Sequence, residues 1–442
     1  MYQGKLLAAA AVLTGSLVAQ PASAAVGVSD DVVLYWNQIA AQTVTGSPAT
    51  TTRPIAMVGV AIRDAVNATL GSPNSSYLSL PGTPGGDTRA AASVAARNLL
   101  VALNPSQTAA YDAALSASLA LVADGQAKTD GMTTGAAVAT AMLARRTGDG
   151  SAAVVNYTPT GQIGHWAPTP PGNLPGAIPQ WGGVATWQIG SQNHFQPPPP
   201  PTLDSAEYAA AFNEVKAIGD VNSVIRTADQ TAAAQFWATP GAGGVQPWVL
   251  TAVDIAKQKG LSTLDAANLF ALLEATAADV TIGIFQAKYL YDYWRPVTAI
   301  RMADLDGNPL TDKDGAWTSL IVAPNHPSYV SGHSAQSAAI TTVLAGVLGD
   351  NNSFCITSGA TRCWNTFTDA ANEAANSRLW GGIHWRFDNE AGQALGRAVG
   401  EFALNQHVFT PVPEPATWAM MIAGFALVGA GLRRRVLRVA YA

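Results

Sequence analysis

The sequence predicts a nearly all-α fold of packed helical bundles, and three observations indicate it. Hydrophobic residues make up 48% of the 442 residues and charged residues only 12%, so much of the chain must be packed. Alanine runs are abundant, which favours close-packed helices. Apolar residues recur at helical spacing and strand-like alternation is scarce. The net charge is −5 and there is no basic stripe, so a nucleic-acid partner is not expected.

Helical patterns cover the first part of the chain, at residues 31–43, 54–67, 88–103 and 105–121. The character then changes between residues 152 and 201, which are rich in Pro, Gly, Trp and Thr and include a run of five prolines. Disordered linkers seldom carry so many aromatic residues. We therefore expect a long ordered crossing loop between two helical halves, with its tryptophans packed on the surface.

Helical patterns resume at residues 205–218 and 227–238, and the clearest one begins near Thr263. Its apolar stripe runs through Leu269, Leu273, Thr276, Val280 and Ile284. Continuation of this stripe places Lys288, Tyr291 and Arg295 on the same face, and Pro296 ends the helix there. Two buried cations are costly unless an anion compensates them. The stripe therefore predicts an anion site at this helix end.

Both ends of the chain carry addressing signals. Residues 1–24 are predicted to be a signal peptide for signal peptidase, with Lys5, an apolar stretch at 6–18 and the cleavage site Ala22-Ser23-Ala24. Near the other end, Pro413-Glu414-Pro415 precedes an apolar run at 418–432 and three arginines.

This C-terminal segment resembles the PEP-CTERM sorting signal of Gram-negative bacteria, which an exosortase recognises. The resemblance implies export to the periplasm, the cell surface or the extracellular matrix, with transient anchoring by the C-terminal helix. A simple membrane anchor is the alternative. We assign residues 25–405 to one helical domain, with its catalytic half at about 205–405, and residues 406–442 to a linker and the sorting segment.

Three clusters within about a hundred residues carry the groups that bind a tetrahedral oxyanion. Cations neutralise and orient its oxygens, a glycine amide and a hydroxyl fill the remaining acceptors, and an imidazole attacks or coordinates the central atom. The i,i+4 spacing in the third cluster lets its aspartate orient its histidine. The clusters are Lys288 with Arg295-Pro296, then Ser331-Gly332-His333, then Ser377-Arg378 with His384 and Asp388.

Together the clusters resemble the signature shared by vanadium-dependent haloperoxidases and type 2 phosphatidic acid phosphatases. Residues 226–237 and 56–67 are similar to segments of the bacterial haloperoxidase branch, and we extend the resemblance over residues 28–405. Val330 stands where the second motif usually has proline, a change expected to affect loop stiffness more than chemistry.

The resemblance implies a role for each residue. His384 is the vanadium ligand, oriented by Asp388, and His333 is the acid–base group. Lys288 also activates peroxide, and the expected reactants are hydrogen peroxide, a halide and a small organic acceptor. The residues implied to bind the vanadate oxygens are Lys288, Arg295, Ser331, Gly332, His333 and Arg378.

A phosphatase would use the same frame without vanadate. His384 would then form a phosphohistidine and His333 would protonate the leaving alcohol. The long helical N-terminal half favours the peroxidase, as does the lack of the several apolar spans expected of a membrane lipid phosphatase. His326 matches a position where bromide-using members carry histidine, although a histidine with a local hydrogen bond is the alternative. A non-catalytic exported surface or matrix protein is the third class considered.

The two cysteines, Cys355 and Cys363, lie close together in a Gly/Ser/Thr-rich segment interpreted as a loop. In an exported protein this spacing favours a local disulfide, with a free buried pair as the alternative. Two cysteines without a histidine array do not make a zinc site. His165, His194 and His407 have no comparable neighbours and are interpreted as structural or exposed.

Overall fold

The computed structural model describes residues 26–72, 74–239 and 241–406, and its helical architecture confirms the predicted fold class. The predicted signal peptide, the sorting segment and His407 lie outside these residues. A short 3-10 turn, Pro105–Gln107, precedes the fourth helix, where the sequence pattern predicted one continuous helix. The first helices are α1 Val32–Thr43, α2 Thr52–Thr69, α3 Thr88–Leu103, α4 Thr108–Leu119 and α5 Gln126–Arg146.

Helix α5 was not predicted, because it lacks a clear apolar stripe. Its packing surface is made of small residues instead. A Cβ atom at Gly131 or Gly135 would lie 2.3 Å from a backbone oxygen of the α3 region. The missing side chains let α5 approach α3 closely, so a helix with few large apolar residues still packs tightly.

The crossing segment at residues 152–201 is ordered, but the expectation that its tryptophans pack on the surface is wrong. Trp166, Trp181 and Trp187 are all buried. Asp279 fixes the segment to the core by accepting the backbone N–H groups of residues 187–189. The tryptophans that were expected on the surface therefore cover the long core helix that begins at Thr263.

The second half of the chain carries the longest helix and the three predicted clusters. Of its helices that begin before residue 300, Gln246–Lys259 and Pro296–Arg301 were not predicted from the pattern of apolar residues. The elements are α6 Ala206–Ile218, α7 Ala228–Ala238, α8 Gln246–Lys259, α9 Thr263–Tyr291, α10 Pro296–Arg301, α11 Gly332–Leu348, β1 Asn351–Ser358, β2 Ala360–Thr366, α12 Phe367–Trp380 and α13 Arg386–Asn405.

Helix α9 runs through the centre of the protein. Within the described residues it is the one helix long and apolar enough to span a membrane, but 89% of its most apolar window is buried inside the protein. It ends at Tyr291 because Asp292 adopts the left-handed conformation (φ 49°). Arg295 is therefore not on α9, as the stripe predicted, but at the N-cap of α10, whose first residue is Pro296.

Helices α11 and α13 lie against each other with almost no space between their backbones. Three glycines of α13 make this possible, since a Cβ at Gly392, Gly396 or Gly400 would lie 2.2–2.9 Å from a carbonyl oxygen of Ser331 or α11. This close approach brings the start of α13 to the start of α11, where two of the clusters are located.

The segment with the two cysteines is a β-hairpin and not the loop that its composition indicated. Strands β1 and β2 pair antiparallel with Cys355 opposite Cys363, and a disulfide joins the two residues. Phe354 and Trp364 of the hairpin pack on Trp237 and Trp248. The hairpin thus covers the end of α7, next to the second cluster.

Candidate active site

Lys288 lies in the last turn of α9 with its side chain only 1% exposed. Its Nζ donates hydrogen bonds of 2.7–2.9 Å to the carbonyl oxygens of Pro327, Ser328 and Val330. An ammonium has three donors, and these carbonyls use all of them. The backbone of the 327–330 loop therefore already compensates this cation in part, so an anion is not the only group that can do so.

Arg295 connects the other parts of the site. Its Nη1 donates to the carbonyl oxygen of Ile383 at 2.8 Å and lies 3.1 Å from Nε2 of His384. On its other edge, Nη2 lies 3.0 Å from Nδ1 of His326, whose carbonyl oxygen accepts from Nε. The guanidinium is fully buried, so its plane is fixed by the two loops that carry these histidines.

The geometry around His384 fixes its tautomer. Nδ1 lies 2.7 Å from Oδ2 of Asp388, an oxygen that also accepts from the Ser328 hydroxyl and from the Trp385 amide. A carboxylate can only accept, so Nδ1 carries the proton. Nε2 then carries no proton, and its lone pair accepts from Arg295. His384 therefore presents a bare nitrogen at the point where the site residues meet.

The first turn of α11 supplies the second cluster. Ser331 is the N-cap residue, and the Gly332 and His333 amides follow it at the positive end of the helix. His333 Nε2 lies 3.0 Å from the carbonyl oxygen of Trp237, near the end of α7. A Cβ at Gly243 would lie 1.9 Å from the same nitrogen, so the backbone after α7 forms one wall around this imidazole.

Arg378 enters from the end of α12 and is 2% exposed. Its Nε donates to the Ser377 hydroxyl at 2.9 Å, and its Nη2 donates to the Ala234 carbonyl oxygen at 3.2 Å. An arginine has five N–H donors, so these contacts leave donors for a further acceptor. Arg378 is also close enough to lower the pKa values of both His333 and His384.

Positive charge exceeds negative charge at this point of the protein. Within the described residues, the Asp388 carboxylate contacts His384 and forms no salt bridge with any of the three cations. Burial lowers the pKa of Arg295 to about 10 and that of Arg378 to about 9, so both stay charged at neutral pH. Burial, with Arg295 adding to it, also lowers the pKa of Lys288 well below its usual range.

The ionisation of the remaining groups follows the same causes. Burial lowers the pKa values of His326, His333 and His384 well below 6.5, and the nearby cations lower them further, so all three are neutral at pH 7. Burial raises the pKa of Asp388 to about 6, against the opposing effects of the Ser328 hydroxyl, Lys288 and Arg295. The site thus holds a cationic frame around neutral imidazoles, which suits an oxyanion.

Known proteins are similar to this chain both in sequence and in fold. The family model of the VCPO second helical-bundle domain matches residues 268–410, the segment that contains all three clusters. A vanadium-dependent iodoperoxidase from a bacterium matches almost the whole fold, with a TM-score of 0.71 and 26% identity over 85% of this chain and 95% of that one. These matches confirm the resemblance to the vanadium haloperoxidase superfamily that the three clusters indicated.

Two curated members of this superfamily are similar over shorter segments. Vanadium chloroperoxidase from Curvularia inaequalis is 29% identical over 189 residues, 36% of this chain and 30% of that protein. The vanadium-dependent bromoperoxidase of Ascophyllum nodosum is 31% identical over 110 residues, 21% of this chain and 20% of its own length. The matches thus span less than a third of these two relatives.

A bacterial vanadium-dependent chloroperoxidase in its holo form shares the haloperoxidase fold, with a TM-score of 0.65 and 18% identity over 88% of this chain and 95% of that one. At the C-terminus, residues 411–435 match the PEP-CTERM protein-sorting motif, so the predicted sorting signal is confirmed. Such a motif is typical of exported proteins.

Three residues at the site had not been singled out from the sequence. Ser328 contacts the Asp388 carboxylate, the Trp237 carbonyl oxygen faces His333, and Gly243 lies against the same imidazole. Ser328 could have been found, because it stands only three residues before Ser331. Trp237 and Gly243 are about ninety residues away along the chain, and their role depends on packing that no local pattern encodes.

The histidines interpreted as structural have packing partners away from the clusters. His165 Nδ1 lies 3.0 Å from the Asp292 carboxylate and ties the crossing segment to the end of α9. His194 packs edge to ring with Phe195 and against Phe402 of α13.

Proposed function

We propose that this protein is an exported vanadate-dependent haloperoxidase that oxidises halide, with bromide favoured, to hypohalous acid with hydrogen peroxide. One observation carries the proposal: His384 presents a bare Nε2 among three buried cations and a single carboxylate. An imidazole nitrogen is a common metal ligand, and the excess positive charge would compensate an oxyanion bound to it. The names of the chloro-, bromo- and iodoperoxidases that this chain resembles support the same choice.

The donor set fits vanadate. His384 Nε2 would be the protein ligand, with Asp388 holding its tautomer and orientation. The oxygens would be held by Arg295 and Arg378, and by Lys288 once the anion replaces one of its three carbonyl partners. Within the described residues none of these three cations has a carboxylate partner. The Gly332 amide and the Ser331 hydroxyl would complete the binding site at the start of α11.

Bound vanadate and the side chains of the protein would contribute different parts of the reaction. Bound vanadate supplies a Lewis acid that activates hydrogen peroxide toward halide. The overall reaction, H2O2 + X− + H+ → HOX + H2O, consumes one proton, and His333 is the residue that would deliver it. The Trp237 carbonyl oxygen accepts from Nε2, so Nδ1 of His333 is the nitrogen free to exchange a proton. Lys288 would hold positive charge beside the reacting oxygens.

The proposed preference for bromide rests on His326. Its Nδ1 accepts from Arg295, so Nε2 carries the proton, and the ring packs against Phe285. Replacement by phenylalanine would remove this acceptor. We expect His326→Phe to shift the ratio of bromide to chloride oxidation toward chloride, and an unchanged ratio would exclude a role for His326 in halide choice.

One experiment separates the candidate functions. Apo-protein is loaded with orthovanadate and assayed for bromination with peroxide, and the unloaded protein is assayed for hydrolysis of a phosphomonoester. Bromination that requires vanadate supports the proposal. Phosphate release without bromination would identify the phosphatase, in which the same Nε2 is the nucleophile. Failure of both assays favours the non-catalytic surface or matrix protein.

Two variants test the residues. His384→Ala should abolish both activities, because one nitrogen serves as ligand in the first and as nucleophile in the second. Retention of more than a few per cent of either would refute this assignment. Asp388→Asn should weaken vanadate binding by roughly 10–100-fold without abolishing it, since the residue orients the ligand rather than binding directly.

We also propose the processing of the exported protein. The mature chain should begin near Ala25 and lack the segment after Pro415, because signal peptidase and exosortase remove the two ends. Mass spectrometry of the exported form tests this. A mature protein that keeps Arg433-Arg434-Arg435 would instead be held by a simple membrane anchor.

A further inference from the structure

A second polar cluster lies directly behind Ser331, between α11 and α13. It consists of Ser331, Ser334 and Asn389, all of them buried. Ser334 Oγ donates to Ser331 Oγ at 2.8 Å and lies 3.1 Å from Asn389 Oδ1. Although Ser331 is an N-cap residue, its side chain does not bond the amides of α11 as capping serines usually do. Its hydroxyl is therefore available for another partner.

The number of hydroxyl protons in this cluster decides which group donates in each hydrogen bond. Ser334 has one hydroxyl proton, so it cannot donate to both Ser331 and Asn389. At the same time, the Asn389 Nδ2 group is buried and has no acceptor within the described residues. A buried donor without a partner costs about 1–3 kcal/mol. A half-turn of the amide exchanges its oxygen and nitrogen at nearly the same shape, and it places Nδ2 against Ser334 Oγ.

With the amide turned in this way, each group donates to the next. Asn389 donates to Ser334, and Ser334 donates to Ser331. The Ser331 oxygen has then accepted a bond, and its own proton must point away from Ser334. An oxyanion bound at the Gly332 amide and the cationic frame would accept that proton.

We propose that Asn389 and Ser334 are positioning residues that hold the Ser331 hydroxyl as a hydrogen-bond donor to the bound oxyanion. This inference rests on the proposed function, since it requires an oxyanion in the site. Neither residue touches the anion itself. Each donor in the chain polarises the next, so the last hydroxyl becomes a stronger donor than an isolated serine.

The test measures binding of inorganic phosphate to the vanadate-free full chain by calorimetry. Ser334→Ala should weaken binding about 3- to 10-fold, the range for one net hydrogen bond. Ser331→Ala should weaken it by about tenfold or more, because it removes a bond to a charged acceptor. The matched control is Ser337→Ala, one turn further along α11. That buried hydroxyl bonds the backbone carbonyl oxygen of His333, so its loss should leave binding unchanged.

A double-mutant cycle shows whether Ser334 acts through Ser331. In the Ser331→Ala background, Ser334→Ala should weaken binding no further. The phosphorus NMR shift of bound phosphate should move in both single variants and not in Ser337→Ala, which a general loss of stability would not produce. Thermal melting of each variant checks that it is folded.

Asn389→Asp tests the far end of the chain. The carboxylate keeps the shape of the amide but can only accept. Ser334 therefore donates its hydrogen bond to this carboxylate and no longer donates to Ser331. It also repels the anion through its charge, with or without Ser334. We therefore expect Asn389→Asp to weaken phosphate binding more when Ser334 is present than in the Ser334→Ala background.

The outcomes separate the two levels of the argument. Phosphate binding that is unchanged in Ser334→Ala, or losses that add in the double variant, would overturn the positioning role and leave the oxyanion site intact. A wild-type protein that binds neither phosphate nor vanadate would overturn the proposed function and this inference with it.

Discussion

The two halves of helix α9 bury ionisable side chains in different ways. In its first half, Glu274 is fully buried and neither carboxyl oxygen has a hydrogen-bond donor within the described residues. One turn later, Asp279 accepts three backbone N–H groups. At the far end, Lys288 donates to three carbonyl oxygens and lies near Arg295. The helix thus changes from an acid without donors to a cation among cations.

The difference indicates which part of the helix is structural. Burial raises the pKa of Glu274 well above its usual value, which favours the uncharged form of this acid. Asp279 holds the crossing segment in place. Within the described residues, charge of one sign accumulates at the Lys288 end of α9, where three cations share one carboxylate, that of Asp388. Uncompensated charge is costly in a protein interior, so its persistence there favours a ligand of opposite charge.

The largest expected effect comes from Lys288→Met, which removes the charge at similar volume. Oxyanion affinity should fall about 10- to 100-fold, as for a lost charge-assisted bond. Since three carbonyl oxygens of the 327–330 loop lose their donor, the free energy of unfolding should also fall by about 3 kcal/mol or more. Calorimetric titration with phosphate and chemical denaturation measure the two changes.

The control for this variant is Lys257→Met, on a partly exposed lysine of α8 that pairs with Asp30. It should change neither phosphate affinity nor stability by more than a few tenths of a kcal/mol. Equal affinities of the Lys288 variant and wild type would contradict the contrast drawn between the two ends of α9.

The behaviour of α9 also shows what could be read from the sequence. The apolar stripe and the motif residues are local patterns, and they predicted the helix, its burial and the residue types of the site. The stripe could not show that Asp292 breaks the helix before Arg295, because one left-handed residue leaves the apolar spacing unchanged. Nor could it supply the three carbonyls on Lys288, which belong to a loop forty residues away.

The missed elements follow the same rule. Helix α5 packs through glycines, so its interface contains little apolar side chain to detect. The buried tryptophans of the crossing segment depend on Asp279, more than ninety residues from Trp187. Within the site, His384 and Asp388 are predictable neighbours at i,i+4. Trp237 and Gly243 reach His333 only through the fold.

A smaller effect is expected from Asp279→Asn. The side-chain oxygen of the variant can still accept from the backbone N–H groups of residues 188 and 189, but its NH2 group then faces the N–H group of Trp187. In the reverse orientation the NH2 group faces residues 188 and 189 instead. One buried donor then loses its acceptor, which should lower the free energy of unfolding by about 1–3 kcal/mol. Proteolysis should become faster within residues 152–201, while phosphate affinity stays at the wild-type value.

Asp265→Asn provides the control on the same helix, because this exposed acid lies in the first turn of α9. It should leave proteolysis of the crossing segment unchanged. A loss of phosphate affinity in Asp279→Asn would show that the two halves of α9 are coupled, and the contrast between them would then have to be abandoned.

The smallest expected effect is the pH dependence contributed by Glu274. A Cβ at Gly59 of α2 would lie 2.0 Å from Glu274 Oε2 and 3.4 Å from the Oδ1 of Asn37, another atom with no donor among the described residues. Two acceptors that face the same small space indicate a proton on the carboxyl group. Its raised pKa means that this contribution to stability is complete below about pH 4.5 and is lost as the pH rises toward the folded-state pKa.

Glu274→Gln removes this titration and keeps a donor, since the amide NH2 can replace the acid O–H. The variant should therefore match wild type near pH 4.5 and become relatively more stable as the pH rises, by at most about 1.4 kcal/mol per pH unit. Burial raises the pKa of Asp279 to about 6, so its titration is largely over above that pH and the interval from pH 7 to 8 isolates Glu274. Denaturation midpoints of both proteins across this range measure the difference, with Glu390→Gln on the exposed face of α13 as the control. A difference that stays constant with pH would mean that Glu274 is ionised in the folded protein, and that the first half of α9 also carries a buried charge.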